Sequence, residues 1–239
     1  MDERLDNVKT ELHNYQEIES IKTNPVVKLG IGLMKQYIPI LGEIIDCGID
    51  KNLEKKQKAK REELISIILS DDKLITSEMV NDTEFIINFF KTIEAVDRLA
   101  TNDKIVYFGN LFKNGYLNED RIQAYKFEEY FNIINSLSYR QLDLLALLHT
   151  YNTKEFLCED EKEEDSKRWM LFKEDACKIF DITGDDLIAI LKSAEKSGLC
   201  KEVVGAIYGY HGGRFEATSL LKDFVSFTIS RNSAFESNI

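Results

Sequence analysis

The 239-residue sequence has almost no proline, and the two residues that it has, Pro25 and Pro39, lie near its amino terminus. Proline breaks or ends helices, so its absence from residues 40–239 favours long helical segments. Leu, Ile, Lys and Glu, which are abundant here, are also good helix formers. The sequence therefore predicts a mainly α protein.

Cysteine and histidine are also scarce, and neither type has the spacing of a metal or catalytic site. No C-x-x-C pair occurs, which argues against a zinc ribbon or a redox motif. No G-x-S-x-G, H-E-x-x-H or paired-carboxylate signature accompanies the histidines. The residues in question are Cys47, Cys158, Cys177, Cys200, His13, His149 and His211. We predict a protein that is not an enzyme and that uses no cofactor, metal or small-molecule substrate.

Basic residues are outnumbered along the whole chain, which carries a net charge of −11. Residues 1–134 hold 24 acidic and 18 basic groups, and residues 135–239 hold 18 and 13. Neither half has the bulk positive field that non-specific nucleic-acid binding uses, although a local basic patch remains an alternative. The first residues lack the basic and apolar regions of a signal peptide, so we expect a cytoplasmic protein.

Long uncharged apolar runs are missing too, although residues 25–49 are strongly apolar and carry four glycines. Charged residues interrupt this segment and Pro39 breaks it, so it is not a conventional membrane span. One interpretation is a pair of short buried helices that pack closely at the glycines. The other is a segment that lies on a membrane or a partner. Its contacts would be Leu33, Met34, Tyr37, Ile38, Ile40 and Leu41.

Residues 51–63 hold six basic and three acidic groups directly after this apolar segment. A basic run beside an apolar patch is typical of peripheral membrane attachment, and it is also typical of a solvated helix face. Both readings stay open. The protein is thus expected in the cytoplasm, with a peripheral membrane position as the alternative.

Helical patterns fill the rest of residues 1–134. Residues 3–22 carry one narrow apolar stripe, which needs a partner helix and predicts a docking arm for oligomerisation. Residues 83–100 place a broad apolar face on a second helix. A third follows, capped by residues 101–103 and stopped at Asn114–Gly115, and a fourth begins at residues 118–120 and ends near Ile134. This half is expected to form a helical bundle.

Residues 135–239 predict a second domain with a different order of elements. A capping box, Ser138-x-x-Gln141, opens one helix, and an acidic loop over residues 152–167 follows it. A helix over residues 169–180 and a turn lead to a second capping box, Thr183-x-x-Asp186, and to a helix that stops at Gly198. Two strands around a turn at residues 205–213 then precede a closing helix over residues 219–230.

This order of elements over residues 136–230 resembles that of winged-helix domains, in which the hairpin is the wing. The resemblance implies an α+β domain with a small β-hairpin wing, and a role in binding DNA or protein. The whole chain also resembles uncharacterised bacterial helical proteins carried by phages, mobile elements or defence loci. That second likeness lies in "IPILGEIID" and "FFKTIEAVDRLATNDKIVYFGNLFKNG".

The winged-helix resemblance implies that the helix after Thr183 would meet a DNA major groove. Asp185 and Asp186 stand at the head of that helix, where they would repel phosphates. We therefore expect a protein partner or self-association, with a DNA-binding transcriptional regulator and a membrane-active effector as alternatives. The candidate contacts to DNA or a partner are Lys192, Lys196, Tyr210, His211 and Arg214.

Overall fold

The structure is a computed structural model that describes residues 51–70, 75–76, 79, 82–118, 121–154, 161–203 and 213–229. The side chains of residues 51–55 and 161–163 are excepted. The predicted docking arm, the apolar segment over residues 25–49 and the hairpin tip with Tyr210 and His211 lie outside the described residues. Those predictions stay untested.

Eight α-helices and one two-stranded antiparallel sheet make up the described part of the chain, which confirms a mainly α class with a small sheet. The helices are α1 (Lys51–Ile68), α2 (Thr83–Arg98), α3 (Ile105–Tyr116), α4 (Ala124–Ser136), α5 (Tyr139–Thr153), α6 (Glu161–Phe180), α7 (Gly184–Ala194) and α8 (Ser219–Thr228), and the strands are β1 (Cys200–Glu202) and β2 (Phe215–Ala217). The chain divides into two units, Met1–Phe131 and Asn132–Ile239.

Aromatic side chains form the core of the first unit. The ring of Phe112 on α3 lies 5.1 Å from that of Phe85 and 5.4 Å from that of Phe89, both on α2. It also meets Phe127 of α4 at 6.4 Å. Burying each such ring stabilises the fold by roughly 1.5–3 kcal/mol. Tyr125 of α4, in contrast, is 70% exposed.

Helix α1 packs closely against α3 because α3 has a glycine at the contact. A Cβ atom on Gly109 would lie 2.6 Å from Cγ2 of Ile67, which is too short for a real contact. The close approach also lets Lys113 of α3, which is buried, donate a hydrogen bond of 2.9 Å to Oγ of Ser70. The absence of a side chain at Gly109 thus allows the short distance between α1 and α3.

Three predicted helix ends in this unit are wrong. No side chain caps α3 at Lys104; Asn102 instead donates its amide to Glu63 at 2.7 Å. Helix α3 continues through Gly115 to Tyr116. Ile122 donates its backbone N–H to the carbonyl of Gly115 at 2.8 Å, so the chain turns there and α4 starts only at Ala124. The contact of Asn102 with α1 and the turn at Gly115 thus replace the helix cap and the helix stop that the sequence predicts.

Helix α5 is the centre of the second unit, where it contacts α6, α7, β2 and α8. Both predicted capping boxes are confirmed. The side chain of Ser138 accepts the backbone N–H of Gln141, and the side chain of Gln141 accepts the backbone N–H of Ser138. Thr183 and Asp186 form the same two hydrogen bonds at the start of α7. Each box satisfies backbone donors that a helix start leaves open, so α5 and α7 begin where the sequence places them.

Helix α5 extends to Thr153 and α6 begins at Glu161, so the prediction that residues 152–167 form one loop is wrong at both of its ends, and residues 155–160 lie outside the described residues. The acidic residues there are helical because Arg168 holds two of them. Its guanidinium lies 2.6 Å from Glu164 and 3.0 Å from Asp165, one turn earlier on the same helix. Pairs at this spacing stabilise a helix that repulsion among acids would weaken.

The sheet follows α7 after a short 3₁₀ turn over Glu195–Ser197. Gly198 ends this turn with φ of +77°, a left-handed conformation that glycine adopts without strain. Strand β1 then pairs antiparallel with β2, with Cys200 opposite Ala217 and Glu202 opposite Phe215. On the other edge of β2, the backbone N–H of Ala217 donates to Oδ1 of Asn152 on α5.

Candidate functional site

Lys192 on α7, a predicted contact residue, is held by two carboxylates of its own unit. Its Nζ atom lies 2.8 Å from Glu195, one turn along the chain, and 2.6 Å from Glu202 at the end of β1. Glu202 also accepts the backbone N–H of Gly213 at 2.9 Å, and Glu195 accepts that of Glu202 at 2.9 Å. Lys192 therefore joins α7 to β1, and Glu202 joins β1 to Gly213, which precedes β2.

The ionisation of these groups reflects the cluster. The hydrogen bonds that Lys192 donates to Glu195 and then to Glu202 raise its pKa. The pKa of Glu202 is lowered by Lys192 and then by the N–H of Gly213, and that of Glu195 by the N–H of Glu202 and then by Lys192. Near neutral pH one positive charge thus faces two negative charges. The cluster carries net negative charge and offers no free cation to a phosphate.

Arg214, the second predicted contact, lies at the start of β2 and is also paired. Its Nη2 atom lies 3.0 Å from Asp165 of α6 and 3.1 Å from Glu216 of β2. Only 19% of its side chain is exposed. Arg214 and Arg168 share Asp165 beside a cavity of about 20 Å³, which is room for about one water molecule. Arg214 thus ties the hairpin to α6.

Lys196 is the one predicted contact residue whose amine faces solvent without an ion pair inside the described ranges. Asp185 and Asp186 at the other end of α7 are exposed, as expected. Asp186 accepts the hydroxyl and the backbone N–H of Thr183, and these two bonds lower its pKa. The exposed face of α7 therefore has a negative beginning and a positive end.

A shallow groove of about 530 Å³ lies between the start of α5 and this face of α7, and its exposed surface is mostly apolar. It is lined by Ser138, Arg140, Gln141, Ala189, Ile190 and Ser193. Sequence reasoning missed the residues from α5, because no local pattern shows that the start of one capped helix lies beside another. Of the predicted contacts, Lys192 lies on α7, which forms one wall of the groove, and Lys196 lies in the turn just after it.

The basic run over residues 51–63 is less available than its composition suggests. Arg61 is buried against Asp97, and Lys60 donates to the carbonyl of Leu99. Lys56 and Lys58 remain exposed, and Glu62 lies 3.9 Å from Lys58. Among the described helices, none has both the length and the apolar composition that crossing a membrane requires.

The described part of the chain holds one histidine, His149 on α5. Burial, and then the nearby charge of Lys222, lowers its pKa, so the imidazole is neutral at pH 7. Cys177 and Cys200 are free thiols, and burial raises the pKa of Cys200 to about 12, which keeps it protonated. In the ranges that the structure describes, no three His, Cys, Asp or Glu side chains are grouped so that they could hold a metal ion.

Comparison of the chain with protein-family models, with curated proteins and with solved structures finds no match. The resemblances to winged-helix domains and to phage-, mobile-element- or defence-associated bacterial proteins therefore stay predictions.

Proposed function

We propose that this chain is a non-enzymatic interaction protein whose second unit is a winged-helix-like module that binds protein rather than DNA. The observation that carries the proposal is the pairing of Lys192. A helix that reads DNA presents cations and hydrogen-bond donors to phosphates and base edges. Here Lys192, an exposed lysine in the last turn of α7, is bound to Glu195 and Glu202.

The charge around α7 supports the same proposal. Asp185 and Asp186 are exposed at the amino end of the helix, which is the end that approaches bases in a helix–turn–helix complex. Arg214 on the hairpin is held by Asp165 and Glu216. Duplex DNA carries a fixed and dense negative charge, so it would have to displace two sets of ion pairs and meet two carboxylates. A protein partner can instead present a surface whose charge matches this one.

The experiment compares two kinds of binding by the full chain. Fluorescence anisotropy of a labelled duplex, at low and at physiological salt, measures DNA binding. Sedimentation velocity over a range of concentrations measures self-association. We expect concentration-dependent association and no change in anisotropy, and salt-sensitive duplex binding by the unaltered chain would favour a DNA-binding regulator instead.

A matched variant tests why DNA is rejected. In the double variant Glu195→Gln/Glu202→Gln, Lys192 loses both ionic partners while the side-chain shapes are kept. We expect this variant to show weak, salt-sensitive duplex binding that the unaltered chain lacks. The control is Glu174→Gln on the exposed side of α6, which removes one acid elsewhere and is expected to change nothing.

A further inference from the structure

The exposed face of α7 has a distinct order of residue types along its length. Asp186, Ala189, Ser193 and Lys196 follow one another at spacings of three, four and three residues, and all four are exposed. The first three lie on α7 and Lys196 lies in the 3₁₀ turn that follows it, and this spacing places all four in one row. The row begins with an acid, continues with two small residues and ends with a base.

Small side chains in the middle of such a row let a second helix come close. Distances between packed helix axes are 8–10 Å and depend on the side chains at the contact. Ala189 and Ser193 also form one wall of the apolar groove beside α5, where Ile190 is half-buried. A partner that covers the row would therefore bury the groove wall as well.

We propose that α7 pairs antiparallel with α7 of a second copy of this chain, about a two-fold axis that passes close to Leu191. This inference rests on the proposed function, since it names the partner of the second unit. A two-fold axis makes an interface from one patch used twice, so the patch must be complementary to itself.

The row meets that requirement in both charge and size. With the axis at residue 191, Asp186 lies opposite Lys196 of the partner subunit, and the reverse pair forms at the other end. Ala189 lies opposite Ser193 of the partner subunit, so small residues meet at the centre. A parallel pairing would instead place Asp186 against the same carboxylate of the partner, and like charges so placed disfavour that arrangement.

The neighbouring charges are compatible with this pairing. Lys192, beside the row, is paired with Glu195 and Glu202, so it brings no unpaired positive charge to the interface, although the cluster keeps one excess negative charge. Arg140 of α5 is close enough to Asp186 to help lower the pKa of its carboxyl group, but the two form no ion pair in the described structure. Lys196 has no ion pair in the described ranges either, so its amine is available.

The first test is charge reversal at one end of the row, read by sedimentation velocity on the full chain. Lys196→Glu would place two acids opposite each other twice in the dimer, and we expect the dissociation constant to rise by about tenfold or more. Lys178→Glu is the matched control, because Lys178 is exposed in the last turn of α6 as Lys196 is just after α7. The control is expected to associate like the unaltered chain.

The second test restores the pairing by mixing. Asp186→Lys also repels itself, but one copy carrying Lys196→Glu and one carrying Asp186→Lys can form both ion pairs. We expect mixed dimers, detected by energy transfer between labelled variants, at concentrations where each variant alone is mainly dissociated. Thr183 still caps α7 in Asp186→Lys, and circular dichroism checks the fold; if this variant does not fold, Ser193→Arg replaces it and is expected to weaken association by bulk.

The outcomes separate the two proposals. If Lys196→Glu associates as tightly as the control, α7 is not the interface, while association through another surface still stands. If the unaltered chain stays monomeric at all concentrations, self-association itself is overturned. If mixing gives no hetero-pairs although both variants fold, the antiparallel register is wrong.

Discussion

Arg61 of α1 and Asp97 of α2 form a two-point ion pair that is almost completely shielded from water. Nε of Arg61 lies 2.9 Å from Oδ1 of Asp97, and Nη2 lies 3.2 Å from Oδ2. The two side chains are 1% and 3% exposed. Because both charges are out of water, each depends on the other, and the pair fixes how α1 lies against α2.

Removing one partner of this pair should therefore be costly. Asp97→Ala leaves a buried guanidinium without its carboxylate, and we expect the free energy of unfolding to fall by about 3–5 kcal/mol in urea denaturation. Arg61→Met/Asp97→Leu should recover most of the loss, since neither charge remains. Lys58→Met, at an exposed pair with Glu62, should cost less than about 1 kcal/mol. An equal loss for the single and double variants would contradict this account.

The glycine contact between α1 and α3 gives a second prediction. Gly109→Ala forces its new methyl group against Ile67, and we expect a loss of about 1–3 kcal/mol in the same assay. Gly184→Ala is the matched control, because its Cβ would meet only the flexible end of Lys173. The explanation fails if both variants unfold at the same denaturant concentration.

The cap of α7 gives a third prediction. The hydroxyl of Thr183 accepts the backbone N–H of Asp186 at 3.1 Å and donates to the carboxylate of Asp186 at 2.7 Å. Thr183→Ala should cost about 1 kcal/mol, within a range of roughly 0.5–2 kcal/mol. Ser193→Ala, which removes an exposed hydroxyl from the last turn of α7, should be neutral. Thermal unfolding of both variants against the parent chain provides the measurement.

These three features differ in how far the sequence could predict them. The two capping boxes are readable because both partners lie within four residues, as are the exposed positions of Lys192 and Lys196 on a helix of known period. The Arg61–Asp97 pair and the contact of Gly109 with Ile67 join residues far apart in the chain, and no local pattern encodes them. The turn in which Ile122 donates to the carbonyl of Gly115 is local, and it decides where α3 ends and α4 begins.

The candidate site divides along the same line. Sequence periodicity placed Lys192 on the outer face of α7, but its neutralisation depends on Glu202, which reaches it only through the hairpin register. Arg214 is a predicted contact residue, and it is bound to Asp165, a residue predicted to belong to a loop. Counting charges along the chain gives its net negative charge, but it does not show which cations are held in ion pairs.

The titration of Glu202 is a fourth prediction. Its folded pKa is lowered from the usual 4.5, so its ion pair stabilises the fold above that pH and the contribution is lost as pH falls through the lowered value. Lys192→Met should raise the pKa of Glu202 towards 4.5, measured from the side-chain carboxyl carbon by NMR. Lys201→Met, next along the strand and paired with Glu216, should leave it unchanged. Equal shifts in both variants would argue against the Lys192 contact.

The bond from Ala217 to the side chain of Asn152 has a consequence for how copies of the chain can meet. A strand at the edge of a sheet invites a strand from another molecule, because its outward N–H and C=O groups are unpaired. Here an amide side chain occupies the outward N–H of Ala217, at the end of a strand of only three residues. Extension of the sheet by a neighbouring molecule is obstructed at that position, which favours contacts between helix surfaces over strand pairing along this edge of β2.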